Sequence, residues 1–179
     1  GEGLCTVCRE SPLQVAPICS TFLFQAEIRD VMHALKYRGG GHQVIRPLIP
    51  RMVEAWQRAD LVSNLLVPVP LHPRREAKRG YNQANLLARA LGEALDVPVA
   101  SRLLRRSRAT VSQTKLDRKQ RRENVSGAFT YTGDIPLDDM HLTLVDDVAT
   151  TGATLEACAD VLLAHGAERV SAFTLARAP

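Results

Sequence analysis

The sequence predicts an α/β fold with a mostly parallel central sheet flanked by helices, and three neighbouring segments carry that prediction. Leu142 to Val145 is an apolar run without the alternation of a half-exposed strand. Ala153 to His165 has the pattern of an amphipathic helix, and Gly166 follows where a helix favours glycine. Arg169 to Leu175 reads as another strand. Strand, helix and strand at this spacing form a βαβ unit, whose two strands must run parallel. A chain of 179 residues, 45% apolar, is long enough for one well-buried core. With aromatics at 4%, that core must be mostly Leu, Val and Ala.

The remaining elements follow in chain order. Residues 1–25 carry three of the four cysteines and little periodicity, and are expected to be a small Cys-containing N-terminal segment ahead of one domain at 26–179. From Ile28 to Tyr37, Val31, Met32 and Leu35 keep helical spacing until Arg38-Gly39-Gly40-Gly41 stops the helix. Gln43 to Ala59 reads as helical, with Pro47 and Pro50 delaying its start. Leu65 to Pro70 is short, apolar and partly β-branched, and its prolines suit a strand end. Asn82 to Leu95 is a helix with Leu86, Leu87, Ala90, Leu91 and Ala94 on one face. Val97 to Leu104 has room for a strand, and Gly127 to Thr132 has strand character.

Charge is unevenly spread. The net charge is +4, yet Arg102 to Arg122 holds nine Lys or Arg against the single acid Asp117, a local +8 that leaves −4 elsewhere. A second cluster is Arg74, Arg75, Lys78 and Arg79. Concentrated positive charge points to a polyanionic partner. The basic stretch contains no Phe, Tyr or Trp to stack on bases, which favours a phosphate ligand over single-stranded DNA as its direct partner.

Cys5-Thr6-Val7-Cys8 has the spacing of a zinc knuckle or a redox pair, and Cys19 is a candidate third ligand. A second C-x-x-C would need cysteine at the place of Phe22, so three thiolates lack the fourth ligand of a structural zinc site. Cys158 keeps helical spacing with Leu155, Val161 and Leu162 and is expected in the core. No stretch reaches the ~18 consecutive apolar residues of a membrane span, and no signal peptide opens the chain, so a cytoplasmic protein is expected.

The chemistry concentrates at "HLTLVDDVATTGAT", His141 to Thr154. Ligands of open parallel sheets bind beyond the carboxyl ends of the strands, where Asp146 and Asp147 are expected. The turn from Ala149 through Thr150, Thr151, Gly152, Ala153 and Thr154 opens a helix, whose free N–H groups and positive dipole end suit a phosphate. Gly152 admits close backbone approach and the threonines add hydroxyl donors. Phosphate beside carboxylates that can hold hydroxyls or magnesium describes a site for a ribose 5-phosphate.

In that order (apolar strand, two acids, then T-T-G-x-T), Leu142 to Thr154 resembles the phosphoribosyl pyrophosphate (PRPP) motif of type I phosphoribosyltransferases. "PVPLHPRREAKRGYNQA", Pro68 to Ala84, and "RSRATVSQTKLDRKQRRENVSGAF", Arg106 to Phe129, resemble consecutive blocks of the competence protein ComF family, as does "LKYRG" at Leu35 to Gly39. The likeness spans nearly the whole chain and implies a type I phosphoribosyltransferase fold that binds Mg–PRPP, with a possible link to natural competence and DNA uptake. It implies that Leu71, His72, Arg74, Arg75 and Arg79 cradle the pyrophosphate. Asp146, Asp147 and Arg121 then belong to the catalytic set, and the basic stretch, around Ser112 to Arg122, is a lid ordered by ligand. Mg²⁺ would bind mainly through substrate oxygens. The family's usual four-cysteine zinc knuckle matches here at Cys5, Cys8 and Cys19, with Phe22 in the fourth place. Purine-salvage relatives carry an Asp at the place of Thr150, so a purine acceptor is disfavoured. The acceptor is left open, and two alternatives stand beside the enzyme: a non-catalytic PRPP sensor and a nucleic-acid-binding competence factor.

Overall fold

A computed structural model describes residues 14–37, 41–108 and 118–178. The elements are β1 (Ile18–Leu23), α1 (Ala26–Tyr37), α2 (Gly41–Ile45), a 3-10 turn (Arg46–Leu48), α3 (Ile49–Arg58), β2 (Leu65–Pro68), α4 (Pro73–Arg79), α5 (Gln83–Leu95), β3 (Leu104–Arg106), α6 (Arg118–Val125), β4 (Phe129–Tyr131), β5 (His141–Ala149), α7 (Ala153–Ala164) and β6 (Arg169–Arg177). β1, β6, β5 and β2 form, in that order, one sheet with every pairing parallel. β3 and β4 form a separate antiparallel pair. The central sheet is therefore parallel, as the βαβ pattern predicts.

Alternation along the strands divides the core. Leu65 and Val67 of β2 and Leu142 and Leu144 of β5 pack with Leu155, Cys158 and Leu162 of α7. Leu66, Val145 and Phe173 face the other way, toward Met32 and Leu35 of α1, Trp56 of α3 and Leu87 and Leu91 of α5. Cys158 is fully buried, as its spacing predicts. Trp56 packs on Phe173 with ring centroids 5.5 Å apart. Pro47 and Pro50 stand in the first positions of the 3-10 turn and of α3, where a missing N–H leaves no helical bond unmade.

Three sequence expectations need correction. Ile18–Leu23, placed by sequence in a separate N-terminal segment, is an edge strand of the central sheet, with Cys19 opposite Phe173. β5 does not stop at Val145 but runs on through both aspartates to Ala149, because β6 continues beside it with Asp146 opposite Thr174 and Val148 opposite Ala176. The buried face of α5 is Gln83, Ala84, Leu87, Ala88, Leu91 and Gly92, turned from the expected stripe so that Ala94 is exposed. Gln83 is drawn inward by a polar partner described below. In the region expected to hold a strand from Val97, the chain makes one parallel bridge, Val99 to Leu66, before β3 begins at Leu104.

That bridge explains Gly92. A Cβ there would lie 2.6 Å from the Val97 carbonyl oxygen and 2.6 Å from the Val99 side chain. The carbonyl belongs to backbone that also accepts no easy shift, since Val97 N–H donates to the Gly92 carbonyl at 2.9 Å. Gly92→Ala is expected to cost about 2 kcal/mol through overpacking, despite the better helix propensity of alanine. Urea denaturation checks this; an unchanged midpoint would show that the helix slides at no cost.

Candidate functional site

Parallel strands bring their carboxyl ends to one edge of the sheet, where such sheets bind ligands. The residue after each strand (Phe24, Val69, Thr150 and Ala178) lines a single cleft of about 910 Å³ there. α1 and α4 form further parts of its walls, through Met32 and Lys36 on one and Arg75 and Arg79 on the other. Tyr81, just past α4, donates its hydroxyl to the Leu35 carbonyl and so ties the two walls together.

The aspartates sit in strand β5, so their side chains leave on opposite faces of the sheet. Asp147, 6% exposed, points to the α1 and α5 side. The Lys36 ammonium lies 2.8 Å from its Oδ2. The Gln83 side-chain amide donates to the same oxygen at 3.2 Å, and Arg79 donates in turn to the Gln83 side-chain oxygen Oε1. Asn82 caps α5 by accepting from Ala84 N–H at 3.0 Å and anchors to the Val69 carbonyl at 3.0 Å, which fixes Gln83 at the start of the helix. Asp146 lies on the α7 and β3 side and accepts from the Asp147 N–H at 2.8 Å. Burial, with Asp147 adding to it, pushes the Asp146 carboxyl up to about 8.

The Asp146 charge reaches two neighbours on that face. It helps push the Cys158 thiol well above its usual range, burial being the larger cause. It also opposes the lowering of Arg106, whose guanidinium is pulled down by burial and then by Arg75. Arg106 is buried at 6% exposure, lies over the Phe129 ring at 5.2 Å and lines the cleft. Lys36, Gln83 and Arg106 were not singled out by sequence. Arg106 was one of nine cations in a basic run, although the alternation Leu104-Arg105-Arg106 already turns it to the side of Leu104.

The other predicted residues divide between wall and scaffold. Leu71, Arg75, Arg79, Thr150 and Thr154 line the cleft. The stretch from Leu71 to Arg75, implied by the resemblance to cradle the pyrophosphate, is mostly helix, since Pro73–Arg79 is α4. His72 is its N-cap, accepting from Arg74 N–H at 3.2 Å, and neither His72 nor Arg74 lines the cleft. Gly80, at φ +87°, ends α4 in the left-handed region that favours glycine. Ala149 closes β5, Gly152 caps α7 at φ +77°, and Ala153 N–H donates to Thr151 Oγ1 at 3.4 Å. This is the strand–turn–helix step expected for a phosphate turn, with Thr150 and Thr154 reaching the cleft.

Arg121 falls in α6, and its side chain lies outside the described residues. So do Cys5, Cys8 and residues 109–117, which include most of the predicted lid. Cys19 is half-buried on β1, its thiol pushed up by burial against the opposing effect of Arg177. Among the described residues no three His, Cys, Asp or Glu side chains gather as metal ligands. Among the same residues, no helix is long and apolar enough to cross a membrane.

In sum of charge, Arg29, Lys36, Arg75, Lys78, Arg79 and Arg106 face Asp146 and Asp147 across one cleft. Cations in such a surface can donate charge-assisted hydrogen bonds to anionic oxygens, and the two acids can accept from hydroxyls or take a cation. A model of the phosphoribosyl transferase domain matches residues 77–179. The DNA utilization protein YhgH of Salmonella typhi is 30% identical over 177 residues, covering 97% of this chain and 77% of that protein. Competence protein F of Haemophilus influenzae (strain ATCC 51907 / DSM 11121 / KW20 / Rd) is 39% identical over 116 residues, 63% of this chain and 50% of that one. Competence protein ComFC of Bacillus subtilis (strain 168) is 40% identical over 115 residues, 63% of this chain and 44% of that one. The match thus spans about half the length of the two competence proteins.

Proposed function

Since the chain belongs to the ComF family, built on the phosphoribosyl transferase domain, we propose that its cleft binds Mg–PRPP. The observation that carries this reading is the gathering of Arg75, Lys78, Arg79 and Arg106 with two carboxylates at the carboxyl edge of one parallel sheet. The 5-phosphate belongs in the turn of Thr150 to Thr154, against the start of α7. The pyrophosphate belongs against Arg75, Lys78 and Arg79 of α4, with Arg106 facing them. Burial and then Arg75 lower the Arg106 guanidinium, and an anion seated between the two cations offsets their repulsion. The ribose hydroxyls then fall to Asp146 and Asp147.

The donor set fits magnesium. Mg²⁺ keeps several waters and takes one or two carboxylates together with substrate oxygens. One carboxylate beside substrate oxygens is enough, so either Asp146 or Asp147, which leave β5 on opposite faces and both line the cleft, would hold it, and the bound ion would offset phosphate charge. The chain's own part is positional: Lys36 and Gln83 fix Asp147, and the α4 cations fix the leaving group. Transfer would form a bond from an acceptor's nucleophilic atom to C1 of the ribose as the bond from C1 to the pyrophosphate oxygen breaks. Stabilising that leaving charge with preset cations is the largest contribution such a site can make. The relatives' names attach them to competence and DNA utilization, and we extend that link, and a cytoplasmic setting, to this chain as part of the proposal.

Calorimetric titration with PRPP, with and without Mg²⁺, tests the reading. Saturable binding that weakens when Mg²⁺ is withheld is expected, and no binding in its presence would end the proposal. Turnover with a panel of acceptors then separates an enzyme from a PRPP sensor. Zinc per chain in the purified protein tests Cys5, Cys8 and Cys19 as ligands, and a content near zero removes zinc.

A further inference from the structure

The charged residues of α1 are sorted. Arg29, His33 and Lys36 line the cleft, while the acids of the same helix, Glu27 and Asp30, do not. Arg29, Met32, His33 and Lys36 stand at i, i+3, i+4 and i+7, so they form one face of the helix, and all four line the cleft. Apolar residues line the same cleft: half-buried Phe24 and Val148, and Met32, which is nearly all buried. This wall lies outside residues 77–179, the part that matches the phosphoribosyl transferase domain.

The phosphate-directed groups proposed above are on α4, on β3 and in the turn before α7. They do not draw on α1. Lys36 is committed to Asp147 at 2.8 Å. Arg29 takes part in none of the ion pairs among the described residues. Both carboxylates of the cleft are on β5, so the α1 wall carries no acid of its own. Arg and Lys side chains only donate hydrogen bonds, and a ligand seated against them must offer acceptor oxygens, best of all charged ones. The half-buried apolar lining adds a second requirement, a ring face to cover Phe24 and Val148.

We propose that α1 is the receiving wall for a second ligand of this site, a small ring compound bearing a carboxylate. The inference rests on the PRPP reading for its place in the site, since it assigns to the second ligand the wall that PRPP leaves unused. A neutral base offering donors as well as acceptors would leave Arg29 facing donors. A ring carboxylate satisfies Arg29 bidentately and offers its face to the apolar lining at Phe24 and Val148.

The test uses matched probes that differ only in charge: benzoate against benzamide, and pyridine-3-carboxylate against pyridine-3-carboxamide. Each is titrated calorimetrically into the full chain, first alone and then with saturating Mg–PRPP. Each acid is expected to bind about tenfold or more tightly than its amide. Arg29→Met with His33→Asn should erase most of that preference while leaving PRPP affinity within about twofold of the original. Equal affinities for acid and amide would overturn the proposal. So would a double variant that loses PRPP binding, because α1 would then serve the phosphates. If PRPP itself fails to bind the unaltered chain, the reading of the site falls, while the acid-over-amide preference measured without PRPP still judges the wall.

Discussion

Asp147→Ala is expected to cost about 2 kcal/mol of stability and to weaken Mg–PRPP binding on the order of a hundredfold. Sequence alone places both aspartates at a strand's solvent end, where their loss would leave the fold untouched. In the structure Asp147 is buried and joins three elements. It accepts from Gln83 of α5, pairs with Lys36 of α1 and belongs to β5. Removing it leaves the Gln83 amide without that acceptor and Lys36 without its counter-charge. Lys36 is 30% exposed on its side chain, so water offsets part of the loss, which keeps the figure below that of a fully buried pair. Asp147→Asn retains an oxygen for Gln83 and should cost only about half as much in stability. A double-mutant cycle with Lys36→Met isolates the ion pair, for which a coupling of about 1 kcal/mol is expected. Strictly additive losses in urea denaturation would show that the pair stabilises nothing.

The divergence between that expectation and the structure shows where sequence stops informing. The alternation of strand and helix from Leu142 to Leu175 was enough for a parallel sheet, because period and spacing are local properties. The end of β5 was not local. A charged pair normally argues that a buried strand has finished, and only the continuing partner β6, with Ala176 opposite Val148, carries the strand past Asp146 and Asp147. Once the aspartates are in strand, period 2 sends them to opposite faces, and each acquires its own surroundings.

The partners of Asp147 were illegible for a related reason. Lys36 belongs to a helix end and Gln83 to a separate block of the chain, and nothing in either stretch announces the other. The α5 face turns on the same long-range pairing. Counting Leu and Ala gives a stripe through Ala94, whereas the buried face includes polar Gln83 because its partner is polar too. His72, by contrast, had a visible local alternative in the Pro73 that follows it. An N-cap ahead of a proline at the first helical position accounts for it without a ligand.

The last expected result concerns pH and Asp146. An ordinary aspartate in an unfolded chain loses its proton near 3.8, whereas in the fold burial and the adjacent Asp147 hold the proton to about 8. Between those values the folded state binds a proton that the unfolded state has released. Stability tied to this group is therefore full below about 4, falls as pH rises toward 8, and is flat above. At its steepest the fall is about 1.4 kcal/mol per pH unit, the value for one proton. Asp146→Asn stays neutral throughout and lacks this slope, so it should gain on the unaltered chain as pH is raised from 5 to 8. Asp147→Asn should keep a smaller slope, because burial, the larger cause, is still in place. Chemical denaturation in metal-free buffer at successive pH values, with the three chains side by side, measures this directly. The difference between chains removes the contribution of histidines and other groups they share. Parallel stability curves for the unaltered chain and Asp146→Asn would mean that Asp146 is ionised across the range and that solvent reaches it in the free protein.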